Sequence, residues 1–242
     1  MRNDFRLLLA CSATVFFASC AASVAPSSVK RDIWGHRAGP KGFTTVIIDA
    51  GHGGKDSGAV SRHTGQKEKD LTLDLAKRLR SELRGDFKTI LMRDEDTFIE
   101  LDERVSRANR DDAILLSLHF NAGPSHLRGP ETYYWRVDSH GLATRCQRAM
   151  NQVSPLENAN RGLVRRRMRL TRNPEIPCVL LEGGYLSNAA ESQLAADPAY
   201  RQKLAIAIAA AVRAQATHGD TGTGPLPRPL HAPPSRPTDA PE

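Results

Sequence analysis

The stretch Thr45-Val-Ile-Ile-Asp-Ala-Gly-His-Gly-Gly-Lys-Asp-Ser-Gly58 decides the fold. Its β-branched apolar run, Val46-Ile47-Ile48, stops at a cluster of glycines that contains one histidine, His52. Such a run reads as a buried strand. It delivers the glycine cluster and its histidine to the carboxyl end of a sheet, where open α/β folds place their sites. Gly51, Gly53 and Gly54 permit unusual backbone angles and let other groups approach closely.

The same design recurs twice. Ala113-Ile-Leu-Leu-Ser-Leu118 runs into His119-Phe-Asn-Ala-Gly123, and Pro177-Cys-Val-Leu-Leu181 runs into Glu182-Gly-Gly184. Between these runs lie helical patterns. Leu71, Leu75, Leu79 and Leu83 fall every four residues from Glu68 to a stop at Gly85, which predicts an amphipathic helix. Residues 97–111, 140–153, 189–196 and 200–216 also read as helices, and Thr89–Met92 and Thr132–Trp135 as short strands. Strands alternating with helices predict an α/β fold, a single domain with a largely parallel sheet and helices on both faces. Three strand ends then deliver His52, His119 and Glu182, each beside glycine.

The chain has 242 residues, 40% hydrophobic and 25% charged, which suits one domain with a sizeable core. A net charge of +7 suits an anionic partner such as nucleic acid, membrane or cell wall. Aromatics at 5% argue against a nucleic-acid binder that works by stacking. Arg2 and Arg6 precede the apolar run Leu7–Ala18 and the small residues after it. That is the pattern of an export signal, over residues 1–20, too short to span as a mature helix. Phe17-Ala-Ser-Cys20 resembles a bacterial lipoprotein box, with Phe17 where the box usually has leucine. Cys20 is thereby the candidate for lipidation, against ordinary cleavage nearby. Ala21 carries no acidic retention signal, which favours an outer membrane in a two-membrane host. Residues 21–42 read as a tether, 43–216 as the folded domain, and 217–242 as a Pro-rich disordered tail. Cys146 and Cys178 read as buried thiols, with a disulfide as the alternative.

Two histidines with Glu68 form a nitrogen-and-oxygen set suited to a catalytic zinc, which takes three protein ligands and leaves a position for water. Glu182 then suits the carboxylate that moves the water proton. The spacing alone leaves a second reading open, of glycine-rich loops with incidental histidines, because no zincin motif is present.

Four blocks, in order, bear on that choice. Asp49-Ala-Gly-His-Gly-Gly-Lys-Asp-Ser-Gly-Ala59, Glu68-Lys-Asp-Leu-Thr-Leu73, Ser117-Leu-His-Phe-Asn-Ala122 and Leu181-Glu-Gly-Gly-Tyr-Leu-Ser-Asn188 resemble the motifs of the zinc-dependent N-acetylmuramoyl-L-alanine amidases, the cell-wall amidases related to the cell-separation enzymes. Arg93-Asp94 with Leu101-Asp-Glu-Arg104, Gly129-Pro-Glu-Thr-Tyr-Tyr134 and Asn160-Arg-Gly162 also resemble family segments. Phe120 and Gly184 depart from the commonest residues at their places. The resemblance covers roughly residues 44–213. It implies a mixed, mostly parallel six-stranded sheet, one Zn2+ held by His52, Glu68 and His119, and Glu182 as general base and acid. The substrate it implies is peptidoglycan, cut at the amide between the lactyl group of N-acetylmuramic acid and L-alanine.

The remaining expectations are finer. Asp70 is the alternative to Glu68 from position alone. Asp49 either orients the glycine loop, supports a ligand histidine, or caps a turn. Asn121 contacts substrate or caps its loop. In the basic run Arg161–Arg172, most arginines read as a solvated face and Arg161 as the candidate for a substrate carboxylate. The interval Trp135–Asn160 is too short for the blocking insertion of some relatives, so no dedicated activator is expected. The expected partners are peptidoglycan and, through Cys20, a membrane, but no nucleic acid. The expected compartment is the periplasm or cell envelope. A zinc carboxypeptidase or other amidohydrolase, and an inactive wall-binding or activator module, are the alternative functions.

Overall fold

A computed structural model describes residues 38–228, Asn173 apart. The expected signal segment with Cys20, most of the tether and the tail beyond 228 lie outside the described residues.

The fold is α/β, built on one six-stranded sheet. The strands are β1 (Thr45–Ala50), β2 (Lys88–Leu91), β3 (Ala113–Asn121), β4 (Glu131–Tyr134), β5 (Gly162–Arg165) and β6 (Cys178–Tyr185). Their order is β2-β1-β3-β6-β4-β5. Every neighbouring pair is parallel except β4 with β6. The helices are α1 (Glu68–Glu82), α2 (Leu101–Ala108), α3 (His140–Val153), α4 (Arg169–Arg172), α5 (Ala189–Ala196) and α6 (Pro198–His218). The expected single mixed, mostly parallel sheet is therefore the one found.

Side chains alternate across the strands and divide the core in two. Val46, Ile48, Ile114, Leu116, Val179 and Leu181 face the large layer containing α1, α3 and α6. Ile47, Leu115 and Cys178 face the other way, under the shorter α2 and α4. The second face carries less helical cover, and the site opens there.

Several boundaries differ from expectation. His119 and Glu182 stand inside β3 and β6 rather than after them. The helix expected over 97–111 is confined to Leu101–Ala108, because Thr97 and Phe98 before it lie directly against Gly53 and Gly54 of the glycine loop. β5 falls in the arginine run, where no strand was expected. α6 continues past residue 216 to His218, and Asp220 beyond it accepts the Gly39 amide at 2.7 Å. Cys146 and Cys178 are separate buried thiols, as expected; burial pushes Cys146 up to about 12. No helix among the described residues is long and apolar enough to cross a membrane.

Candidate metal centre

His52 leaves the end of β1 in a strained conformation, with φ 62°, a left-handed angle that costs a residue with a Cβ. Buried charge holds it there. Asp49 is fully buried and pairs with Arg104 of α2, and it accepts the Ser117 hydroxyl at 2.8 Å. The same guanidinium donates to the Ala50 carbonyl at 3.0 Å and to the His52 carbonyl at 2.7 Å. Arg93 adds donors to Ala50 and Gly51, both at 2.9 Å. Asp49 thus orients the loop through Arg104; its partners are Arg104 and Ser117, not His52 or His119.

The residue that supports His52 is Asp56, whose Oδ2 lies 2.8 Å from His52 Nδ1. That contact aims Nε2 at Glu68 Oε1, 3.1 Å away. His119 Nδ1 reaches the same oxygen at 2.9 Å. Glu68 is 4% exposed and also accepts the amides of Phe120 and Ala59, at 3.0 and 2.9 Å. Asp70, the other carboxylate of that turn, is exposed. One ligand atom from each of His52, Glu68 and His119 lies within 4.8 Å of the others.

Charge inside this cluster shifts its protons. Burial opposes a charge on His52, but hydrogen bonds and the charges of Glu68 and Asp56 outweigh it, raising the imidazole to about 9. Burial likewise works against the Glu68 carboxylate, yet the two imidazoles hold it well below the ordinary range. A buried carboxylate that gathers two imidazole nitrogens suits a divalent cation in place of those protons. A carboxylate on the far nitrogen of a ligand histidine is the usual support of such a centre. The donor set fits one zinc ion.

The glycines serve the same convergence. A Cβ on Gly51 would collide with the His119 ring, and one on Gly58 with Glu68 and His52. Glu182 is the parallel-register neighbour of His119, and Glu131 of β4 is the antiparallel neighbour of Glu182. Strand register therefore sets these three side chains in a row on the thinly covered face. The β3–β6 register shifts between His119 and Asn121, an irregularity typical of strands beside a site. Glu131 accepts the hydroxyls of Tyr133 and Tyr185 at 2.8 and 2.7 Å.

A cleft of about 500 Å³ is lined by His52, Glu68, His119 and Glu182, with Asn121, Tyr133, Arg166 and Met168 among the rest of its wall. Asn121 also caps its loop, its oxygen accepting the Ala122 amide at 2.8 Å. Arg161 does not line the cleft. Its guanidinium lies 4.0 Å from Glu131, and the arginine on the cleft wall is Arg166. Sequence reasoning missed Asp56, although its place four residues after His52 was visible. It also passed over Glu131, inside the family-like segment Gly129–Tyr134, and Arg166, inside the basic run from which Arg161 was singled out.

Residues 46–214 match the N-acetylmuramoyl-L-alanine amidase family. The chain is 32% identical to the uncharacterized protein YqiI of Bacillus subtilis, over 86% of this chain and 95% of that one. It is 36% identical to the N-acetylmuramoyl-L-alanine amidase LytC of B. subtilis over 68% of its length, but spans only 34% of LytC. Among solved structures it resembles the catalytic domain of CwlV, an N-acetylmuramoyl-L-alanine amidase from Bacillus (Paenibacillus) polymyxa var. colistinus. The TM-score is 0.65 at 35% identity, covering 70% of this chain and 96% of that domain. With the sheet, the His–Glu–His cluster and these likenesses in agreement, the chain belongs to the N-acetylmuramoyl-L-alanine amidase family.

Proposed function

We propose that the protein is a zinc-dependent peptidoglycan hydrolase that cleaves the amide between the lactyl group of N-acetylmuramic acid and L-alanine of the stem peptide. The observation that carries this reading is the convergence of His52, Glu68 and His119 on one point, beside Glu182, at the wall of an open cleft. Family membership and the likeness to LytC support the bond class.

His52, Glu68 and His119 hold the ion, and Asp56 keeps the His52 ring turned toward it. Bound zinc supplies a Lewis acid for the scissile carbonyl and acidifies water. Glu182 accepts the proton of the attacking water and returns it to the departing nitrogen of L-alanine. The C–N bond breaks, a C–O bond forms, and the products are a lactyl carboxylate and a free amine. Asn121 lines the cleft, which supports a contact with the glycopeptide. Replacing Glu182 with alanine removes the proton carrier and leaves all three proposed ligands. Hydrolysis of purified wall should fall by about 10²–10⁴-fold while bound zinc persists. Undiminished hydrolysis by Glu182→Ala would refute the mechanism.

The cleft is open in this reading. Residues 136–160 form α3 and its flanks, α3 packs against α6 and β4, and none of these residues lines the cleft. The protein accordingly works without a dedicated activator, and a marked rise in rate on adding one would count against that. Export, a lipid anchor on Cys20 and a place in the cell envelope rest on the signal read in residues 1–20. Mass spectrometry of the mature amino terminus decides between a lipidated Cys20 and simple cleavage.

A further inference from the structure

Arg166 stands on a different side of the chain from its neighbours. The guanidinium groups of Arg165 and Arg167 both lie over the Trp135 ring, 5.5 and 5.6 Å from its centroid. Alternation along an extended segment sends the residue between them to the opposite side. There Arg166 lines the cleft that contains His52, Glu68, His119 and Glu182. Its backbone is held on both sides: the amide donates to the Tyr134 carbonyl at 2.9 Å, and its own carbonyl accepts the Thr171 hydroxyl at 2.9 Å and the Met168 amide at 3.0 Å. The cation therefore extends from an anchored turn.

Arg166 is the sole lysine or arginine among the described residues that line the cleft. Its side chain is exposed, and no carboxylate among the described residues pairs with it. Arg161, at the other end of β5, is by contrast turned toward Glu131. A guanidinium with open donors, facing a cleft whose other charged groups are carboxylates and histidines, selects an anionic group on whatever enters. A carboxylate matches its planar fork.

We propose that Arg166 binds a free carboxylate of the stem peptide and so sets a preference for peptides in which that carboxylate is not amidated. This rests on the amidase reading, and it places the peptide, rather than the glycan, along the β5–α4 side of the cleft.

The test compares the wild-type protein, Arg166→Ala and Arg166→Lys on two soluble muramoyl peptides that differ only in whether their peptide carboxylates are free or amidated. On the free acid, Arg166→Ala should raise KM about tenfold and leave kcat within about twofold. Arg166→Lys should recover part of that loss. On the amidated peptide, wild type and Arg166→Ala should perform alike. Equal losses on both peptides, or a loss confined to kcat, would overturn the assignment. Binding of the free-acid peptide is measured separately in a Glu182→Gln background, with and without Arg166→Ala. If the wild type releases no L-alanine terminus while Arg166→Ala still weakens binding about tenfold, the amidase reading fails and the carboxylate site stands. If hydrolysis proceeds and Arg166→Ala leaves binding unchanged, the carboxylate site fails and the amidase reading stands.

Discussion

Asp56 touches His52 at the nitrogen that faces away from Glu68, so its effect on a bound ion is indirect. Asp56→Asn keeps the shape and removes the charge. Zinc affinity, read by competition with a chromophoric chelator, should weaken about 10–100-fold; an unchanged affinity would mean that the loop alone orients the ring. The chelated protein offers a second test. The folded-state value of His52 lies above its ordinary 6.5, at about 9, first against burial and then through Glu68 and Asp56. The stabilisation this represents is complete below about pH 6.5 and is lost as pH rises toward 9. With chelator present, the melting temperature of wild type relative to His52→Gln should therefore fall across that window. Parallel curves would contradict the charge assignment. At this scale the candidate cluster was legible, because His52, Glu68 and His119 sit in blocks that resemble one family's motifs. Asp56 was not, because Asp49, next to the apolar run Val46–Ile48, read as a candidate support for a ligand histidine. Only the fold shows that Arg104 claims Asp49.

The glycine loop and the paired strands act as elements. Glycines in such a loop suggest room for substrate, but the structure gives that room to His52, Glu68 and His119. Gly51 has an ordinary backbone angle, so alanine is allowed there, yet its Cβ would meet the His119 ring. Gly51→Ala should displace His119, and zinc affinity should drop by about 10-fold or more while the melting temperature of the chelated protein moves little. Loss of stability with zinc affinity kept would show that Gly51 serves the strand instead. Strand register does the rest, setting His119 beside Glu182 and Glu182 beside Glu131. Hydrophobic runs disclosed β1, β3 and β6 because central parallel strands are apolar on both faces. β5 has no such run: Gly162-Leu-Val-Arg165 is half-buried at the sheet edge and embedded in arginines, so its pattern read as a charged surface. α3 and α5 had clear patterns, and their observed limits coincide with those expected, 140–153 and 189–196.

The whole molecule is asymmetric about its sheet. Long helices α1, α3 and α6 seal one face, and short α2 and α4 leave the other accessible at the ends of β1, β3 and β6. That asymmetry places three proposed zinc ligands, the proposed proton carrier Glu182 and Arg166 around a single cleft. The general layout followed from alternating strands and helices, whereas the cleft depended on which face the short helices cover, something no local pattern encodes. The central claim is metal-dependent cleavage of the muramoyl–L-alanine bond, and mass spectrometry of wall digested by the purified protein tests it most directly. Native and zinc-restored protein should release peptides with new L-alanine amino termini and leave glycan strands stripped of peptide, while chelated protein should release neither. Undiminished release after chelation, or products cut at another bond, would contradict the account.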